Sequence, residues 1–272
     1  YDPVALPTTQ DTTLTFNTGE KKWVQLTPVW QGFNNPQDII IAPDKYIYLS
    51  DKGNNRIVVL SKSGEIIHQD NFGNDFSALY ELNKIKEHQV KPMGIDIDSK
   101  LSLFITDSTN YVYCWNQYIN YLKNTSDTQD SIAEYIVYSQ ENSSQLDTVW
   151  DFAQSITYEN QGYRIEEVKF HPLESDSIFT PHIFFEGHQD ASFVSVSAAP
   201  DSNCIYIANT NRQSIQKINM VRSDYLKFGD ITIWQYRGIS DGSIATNGTG
   251  AGTVNDPTGM TVDQNGAVYY TQ

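Results

Sequence analysis

Acidic side chains recur in this chain where carboxylates could converge. Asp51 closes the apolar run Ile47-Tyr48-Leu49-Ser50-Asp51 and Asp107 closes Leu103-Phe104-Ile105-Thr106-Asp107, while Asn209 stands at the same place in Ile205-Tyr206-Ile207-Ala208-Asn209. Gathered around one rim, such oxygens would ligate Ca2+ or act as acid and base. The plainer reading is that each accepts backbone N–H bonds in the turn that follows, a role suited to Asp and Asn. Recurrence at one position favours the plainer reading. Asp96 and Asp98 lie two apart, hence on one face of a strand. They are a second carboxylate candidate, set against simple solvation.

Other chemistries are less well furnished. No Gly-x-Ser-x-Gly elbow presents a nucleophile. The series Gly248, Gly250 and Gly252 lacks the Lys-Ser/Thr and the strand-to-helix context of a phosphate cradle. Cys114 and Cys204 are too few for a disulfide framework and are expected to be buried and reduced. The aromatic run Tyr111, Tyr113, Trp115, Tyr118 and Tyr121 leads into a long loop. It supplies candidate binding residues, because long loops on a rigid scaffold carry recognition and Tyr and Trp anchor interfaces. The alternative is that these rings pack between sheets.

The 272 residues carry 33 acidic against 18 basic side chains, a net charge of -15, which disfavours a nucleic-acid partner and an anionic membrane surface. The longest apolar stretches, such as Ile39-Ile40-Ile41-Ala42, are strand-sized, far below the ~20 residues of a membrane span. The chain opens on Tyr1 and runs into a Pro/Thr-rich segment. It reads as a processed product with a tether, and a signal peptide or lipid anchor would lie upstream. Abundant Tyr, Asn, Ser and Thr suit an extracytoplasmic setting: secreted, periplasmic or anchored at an outer surface.

What must position these residues is a repeat. The clearest unit is Pro36-Gln37-Asp38-Ile39-Ile40-Ile41-Ala42-Pro43-Asp44, then Tyr46–Asp51, then Asn54-Asn55-Arg56-Ile57-Val58-Val59-Leu60 and Ser63-Gly64. β-Branched and aromatic runs alternate with turn signals, giving three or four short strands. Further copies start near 92, 193 and 257, and a fainter one near 145. With Arg56, Tyr111, Arg164 and Arg212 as a ruler, the period is near 50. Four-stranded units at that spacing are blades of a propeller, since a lone blade cannot cover its own faces.

The pattern Pro-x-x-Ile…Ile-Tyr-x-x-Asp-x-x-Asn-Asn-Arg-Ile over residues 36–57, with the Gly-rich stretch 248–259, resembles the NHL-repeat family of β-propellers. That resemblance implies an all-β propeller of four-stranded blades: six blades with the C-terminal part missing, or five closed by strands at Thr12–Phe16 and Trp23–Leu26. The organisation is then an N-terminal tether with closing strands at 1–33 and the propeller at 34–272. It also implies a choice of functions. The leading expectation is a non-catalytic binding or scaffold protein at a bacterial surface, engaging a protein or glycan through face loops, with no cofactor. The alternative is a metal-dependent hydrolase or lyase whose ligands reach the central channel. Asp51, Asp107, His88 and His188 would then be the candidates for Ca2+ or Zn2+, His88 and His188 each preceding the first strand of a blade.

Overall fold

Four apolar runs are each turned back by the same short bend. The N–H groups of Lys45, Leu101, Ser202 and Gly266 donate to the carbonyls of Ala42, Asp98, Ala199 and Asp263, at 2.9, 3.1, 2.9 and 3.0 Å. All four donors have positive φ, 74°, 62°, 54° and 83°. This is the three-residue hairpin that ends in a left-handed residue, and only its last instance has the glycine that makes it easy. The computed structural model describes residues 30–82, 84–85, 88–117, 131–139, 145–151, 163–172, 180–228, 231–248, 250 and 252–272. The chain divides into two compact units, Tyr1–Gly32 and Phe33–Gln272, and the described strands all lie in the second. The strands expected at 12–16 and 23–26 lie outside the described residues.

The bends organise antiparallel sheets. The first blade is β1 (Pro36–Ile41), β2 (Ile47–Asp51) and β3 (Arg56–Leu60). Its outer edge is continued by Ile67, whose N–H donates to the Val59 carbonyl at 2.9 Å. Tyr80, closing the short helix α1 (Ser77–Tyr80), sets its hydroxyl 3.1 Å from the Val59 N and 3.0 Å from the Ile67 carbonyl. A two-strand link, β4 (Lys84–Ile85) and β5 (His88–Gln89), leads on to β6 (Ile95–Ile97), β7 (Ser102–Thr106) and β8 (Tyr111–Asn116).

The chain then leaves for β9 (Ser131–Ser139), β10 (Gln145–Asp151) and β11 (Tyr163–Pro172), and returns as β12 (His182–Glu186). β12 pairs with β8, giving the second blade the order β12-β8-β7-β6. The third blade is β13 (Phe193–Ala198), β14 (Cys204–Asn209), β15 (Ser214–Phe228) and β16 (Ile231–Asn247). After β17 (Thr253–Val254), the fourth is represented by the hairpin β18 (Gly259–Val262) and β19 (Val268–Thr271).

First strands lie beside first strands: β6 contacts β1 and β13, and β13 contacts β18. Side chains alternate along each middle strand and so build two walls. Leu103 and Ile105 face the first blade, in a core with Tyr48, Ile57 and Val59. Phe104 faces the third blade, in a core with Ile205 and Ile207. Ala208 and Tyr206 point onward to Met260, Val268 and Tyr270 of the fourth. Face-to-face sheets with their first strands innermost are the blades of a β-propeller.

Among the described residues, the strands near 145 pair differently from the blade expected there. β10 pairs with β9 on one side and runs parallel to residues 225–227 of β15 on the other. β9, β10 and β11 thus lie between the third and fourth strands of the second blade in chain order, and their sheet joins the far end of the β15–β16 hairpin. Arg56 and Tyr111 each begin a third strand and Arg212 stands in the turn before one. Arg164 instead sits on β11 opposite Tyr138 of β9. The described residues hold four blades, not five starts. The ruler failed because β-propensity marks a strand without marking which neighbour it pairs.

Candidate functional site

Innermost strands have an edge that faces the propeller axis, and an unpaired edge leaves N–H groups in need of partners. Here the preceding blade supplies them. Asp38 Oδ2 accepts the N–H of Ile95 at 2.9 Å, Asp96 Oδ2 that of Ala198 at 2.8 Å, Ser195 Oγ that of Met260 at 3.2 Å and Ser197 Oγ that of Val262 at 3.1 Å. The hairpin registers make Asp38, Gly94, Ser195 and Gly259 equivalent, and Asp96, Ser197 and Thr261 likewise. One rule covers all four bonds: a side chain in one blade takes the N–H one residue further along in the next. A carboxylate, having two oxygens, does more. Asp38 Oδ1 also accepts the Ile39 N–H at 2.8 Å, and Asp96 Oδ1 that of Ile97 at 2.9 Å. At Gly94 the strands close up instead, since a Cβ there would stand 2.6 Å from Ser195 Cα.

Above these latches lies a cavity of about 210 Å³, walled by Gln37 and Asp38, Met93 and Gly94, Val194 and Ser195, and Thr258, Gly259 and Met260. All four described blades contribute the start of their first strand. Burial raises the Asp38 carboxyl above the usual range, against the two N–H bonds it accepts. Burial likewise raises Asp96, and the nearby Asp38 charge adds to the rise. None of the lining side chains is cationic.

Asp51, Asp107 and Asn209 lie beside this mouth rather than in it. Each second strand ends beside the start of a first strand, as Asp51 pairs with Pro36 and Asn209 with Phe193. Asp51 is fully buried. Its Oδ1 accepts the Asn34 N–H at 2.7 Å and its Oδ2 the Arg56 Nε at 2.8 Å. Asp107 accepts the Thr109 N–H in the following turn, the Tyr113 hydroxyl at 3.1 Å, and lies 2.9 Å from His88 Nε2. Asn209 accepts from Ser192 and from Arg212 of its turn. His188 stands apart on the surface, 2.6 Å from Asp190. Arg212, 2.8 Å from the same carboxylate, chiefly holds it below the usual range. So His88 meets Asp107, while Asp51 and His188 belong to separate clusters. Among the described residues no three His, Cys, Asp or Glu side chains gather as a metal site.

The aromatic run divides. Tyr113 and Trp115 are 0% and 1% exposed on β8, inside the core against the first blade. They are wall residues, not loop residues, because strand alternation turns them inward. Tyr111 is half-buried, its ring centroid 6.2 Å from that of Tyr113 with the planes tilted by 42°. Tyr118 and Tyr121 lie outside the described residues. Cys114 and Cys204 are buried and free, and burial pushes both thiols up. Asp98 is not paired with Asp96 but bonds the first bend of its own blade, through Lys100 and Ser102. Its Oδ2 and His182 Nδ1, both without a hydrogen-bond partner, line a separate space of about 30 Å³ between the second and third blades, with Cys114. Burial lowers the His182 imidazole.

The sequence missed the mouth itself. Its one usable signal was a carboxylate or hydroxyl at Asp38, Asp96, Ser195 and Ser197, inside strands where an apolar residue would be expected.

No protein-family model matches this chain, and no curated protein matches it. Solved structures with a similar course include a virginiamycin B lyase from Staphylococcus aureus. It is 13% identical over 87% of this chain and 62% of its own, with TM-score 0.33. This chain therefore spans less than two thirds of the lyase. A gluconolactonase from Xanthomonas campestris is 10% identical over 89% and 71%, also at 0.33. A nidogen/laminin complex gives 10% over 88% and 72%, again at 0.33. At such identities and scores the propeller assignment rests on the sheets themselves.

Proposed function

We propose that this protein is a non-catalytic, extracytoplasmic binding propeller that engages a protein or glycan partner at the axial mouth and its surrounding rim. One observation carries the reading. The polar side chains best placed to do chemistry are bonded into the scaffold, while the cavity above them stays open. Asp38 and Ser195 hold main-chain N–H groups of the next blade. Asp51 holds the incoming chain and Arg56, and Asp107 holds its own turn and His88. Groups fixed in this way shape a rigid recognition surface, and rigid scaffolds that end in turns are where binding concentrates.

The test is photocrosslinking in the native host. A benzophenone amino acid replacing exposed Gln37 at the mouth should give a discrete adduct. The same probe at Asn265, in the hairpin bend at the opposite end of the fourth blade, should not. Shrinkage of the adduct under glycosidase or under protease assigns its class. Equal labelling from both positions would refute the mouth as the binding face. Lactone or ester turnover that needs a divalent cation and vanishes in Asp38→Asn would establish the metal-dependent hydrolase instead.

A further inference from the structure

We infer that Cys114, His182 and Met220 hold a single soft monovalent metal ion, Cu+, between the second and third blades. The site is separate from the axial mouth and does not depend on what binds there.

The repeat supplies the argument. Counting back from Asp51 and Asp107, Tyr48 and Phe104 occupy one place in their blades. Their neighbours across the sheet are Val59 and Cys114. One strand further out stand Ile67, bonded to the Val59 carbonyl at 2.9 Å, and His182, paired with Cys114. An apolar Val–Ile pair in the first blade is thus a Cys–His pair in the second. Packing alone asks for the former. Directly opposed residues hold their Cβ atoms about 4.5–5.5 Å apart, so thiol and imidazole share one face. Met220 of β15 lines the same space from the third blade.

That space calls for an occupant. His182 Nδ1 and Asp98 Oδ2 line it, are buried, and have no hydrogen-bond partner among the described residues. A buried polar atom left so carries a desolvation cost that an occupant removes. About 30 Å³ is the share of one water molecule in the liquid, so the occupant is a single atom or ion and not an organic ligand. Water would serve the nitrogen and the carboxylate but leave both sulfurs without a role. Structural Zn2+ asks for a full tetrahedral set, and no three His, Cys, Asp or Glu side chains converge among the described residues. A soft cation selects thiolate, thioether and imidazole instead. Cu+ takes the place of the thiol proton, which leaves to solvent. The buried charge is then the same before and after, and nothing is oxidised or reduced. The Asp98 carboxylate, near enough to act on the Cys114 thiol, favours a cation here. Phe104 and Phe184, edge to face at 5.1 Å, shield the ion from water.

The test is anaerobic titration of the full chain with the acetonitrile complex of Cu+ in competition with bicinchoninate. One Cu+ should bind per chain, and X-ray absorption should show sulfur and imidazole scattering. Cys114→Val and His182→Ile copy the first blade and so should fold, as the urea midpoint without copper will show. Each should weaken binding by at least the ~10–100-fold that loss of an outer-shell partner costs a metal site. Met220→Leu should weaken it less, and Cys204→Ala should bind like the parent. Failure to retain Cu+ against the chelator overturns the inference. So does parental affinity in either Cys114→Val or His182→Ile, or equal loss in Cys204→Ala. Displacement of Cu+ by an equal concentration of Zn2+ overturns the choice of metal, and parental affinity in Met220→Leu overturns the part given to the thioether.

Discussion

Asp96 shows what a single residue does here. It accepts three bonds: the Ile97 N–H of its own strand, and the Ala198 N–H and Ser197 hydroxyl of the next blade. Asp96→Ala leaves two main-chain donors without partners and should lower stability by about 1–3 kcal/mol, read from the urea midpoint at constant slope. Asp96→Ser should recover part of that loss, since Ser195 and Ser197 do the same work elsewhere with one oxygen. A Ser variant no better than Ala would refute the latch. Burial raises the Asp38 and Asp96 carboxyls, so the folded state holds their protons more tightly than the unfolded chain does. Their favourable contribution is complete below the unfolded value of 3.8 and is lost as pH rises through the higher folded values. Denaturation of Asp38→Asn from pH 3.5 to 7 should therefore show less of this decline than the parent chain. The sequence exposed these carboxylates but not their partners. The partner is a peptide N–H, which every residue but proline carries, so spacing cannot reveal it.

At the scale of elements, the hairpin bends and alternating runs were legible because both are local. Turn residues and period-two patterns are written within a dozen positions. The identity of an outer strand is not. His182–Glu186 completes the second blade although 65 residues separate it from β8, and nothing in its composition names β8 as its neighbour. That arrangement yields a prediction. His182 pairs with Cys114, so the two ends of the intervening segment are adjacent. Replacing residues 118–179 with a short Gly-Asn linker should leave the blades folded, because loops whose ends already meet tolerate excision. Loss of the cooperative transition would show that the sheet of β9, β10 and β11 is integral. Gly94 is a second element-scale test. A Cβ there meets the Ser195 backbone at 2.6 Å, and Gly94→Ala should cost about 1–3 kcal/mol through forced separation of two inner strands. An unchanged midpoint would mean that the blades do not pack so closely in solution.

The molecule as a whole carries far more acid than base. Self-repulsion works against the compact state and salt screens it. Raising NaCl from 10 to 300 mM should raise Tm. A Tm that falls with salt would point to net stabilisation by the pairs Arg56–Asp51, Arg212–Asp190 and Lys217–Asp241. Fold class was legible at this scale because the faces of each sheet are apolar on both sides and must be covered by further sheets. The axial cavity was not legible, since it is a space between four strand starts that lie far apart along the chain.

The four axial latches also have a direction in time. In each of them the oxygen belongs to the earlier part of the polypeptide and the amide to the later. A ribosome would release Asp38 well before Ile95, and Asp96 before Ala198. Each finished sheet thus leaves the exit tunnel already displaying the receptor for its successor. The growing end needs to find only the surface just laid down, so vectorial synthesis alone could put the sheets in order.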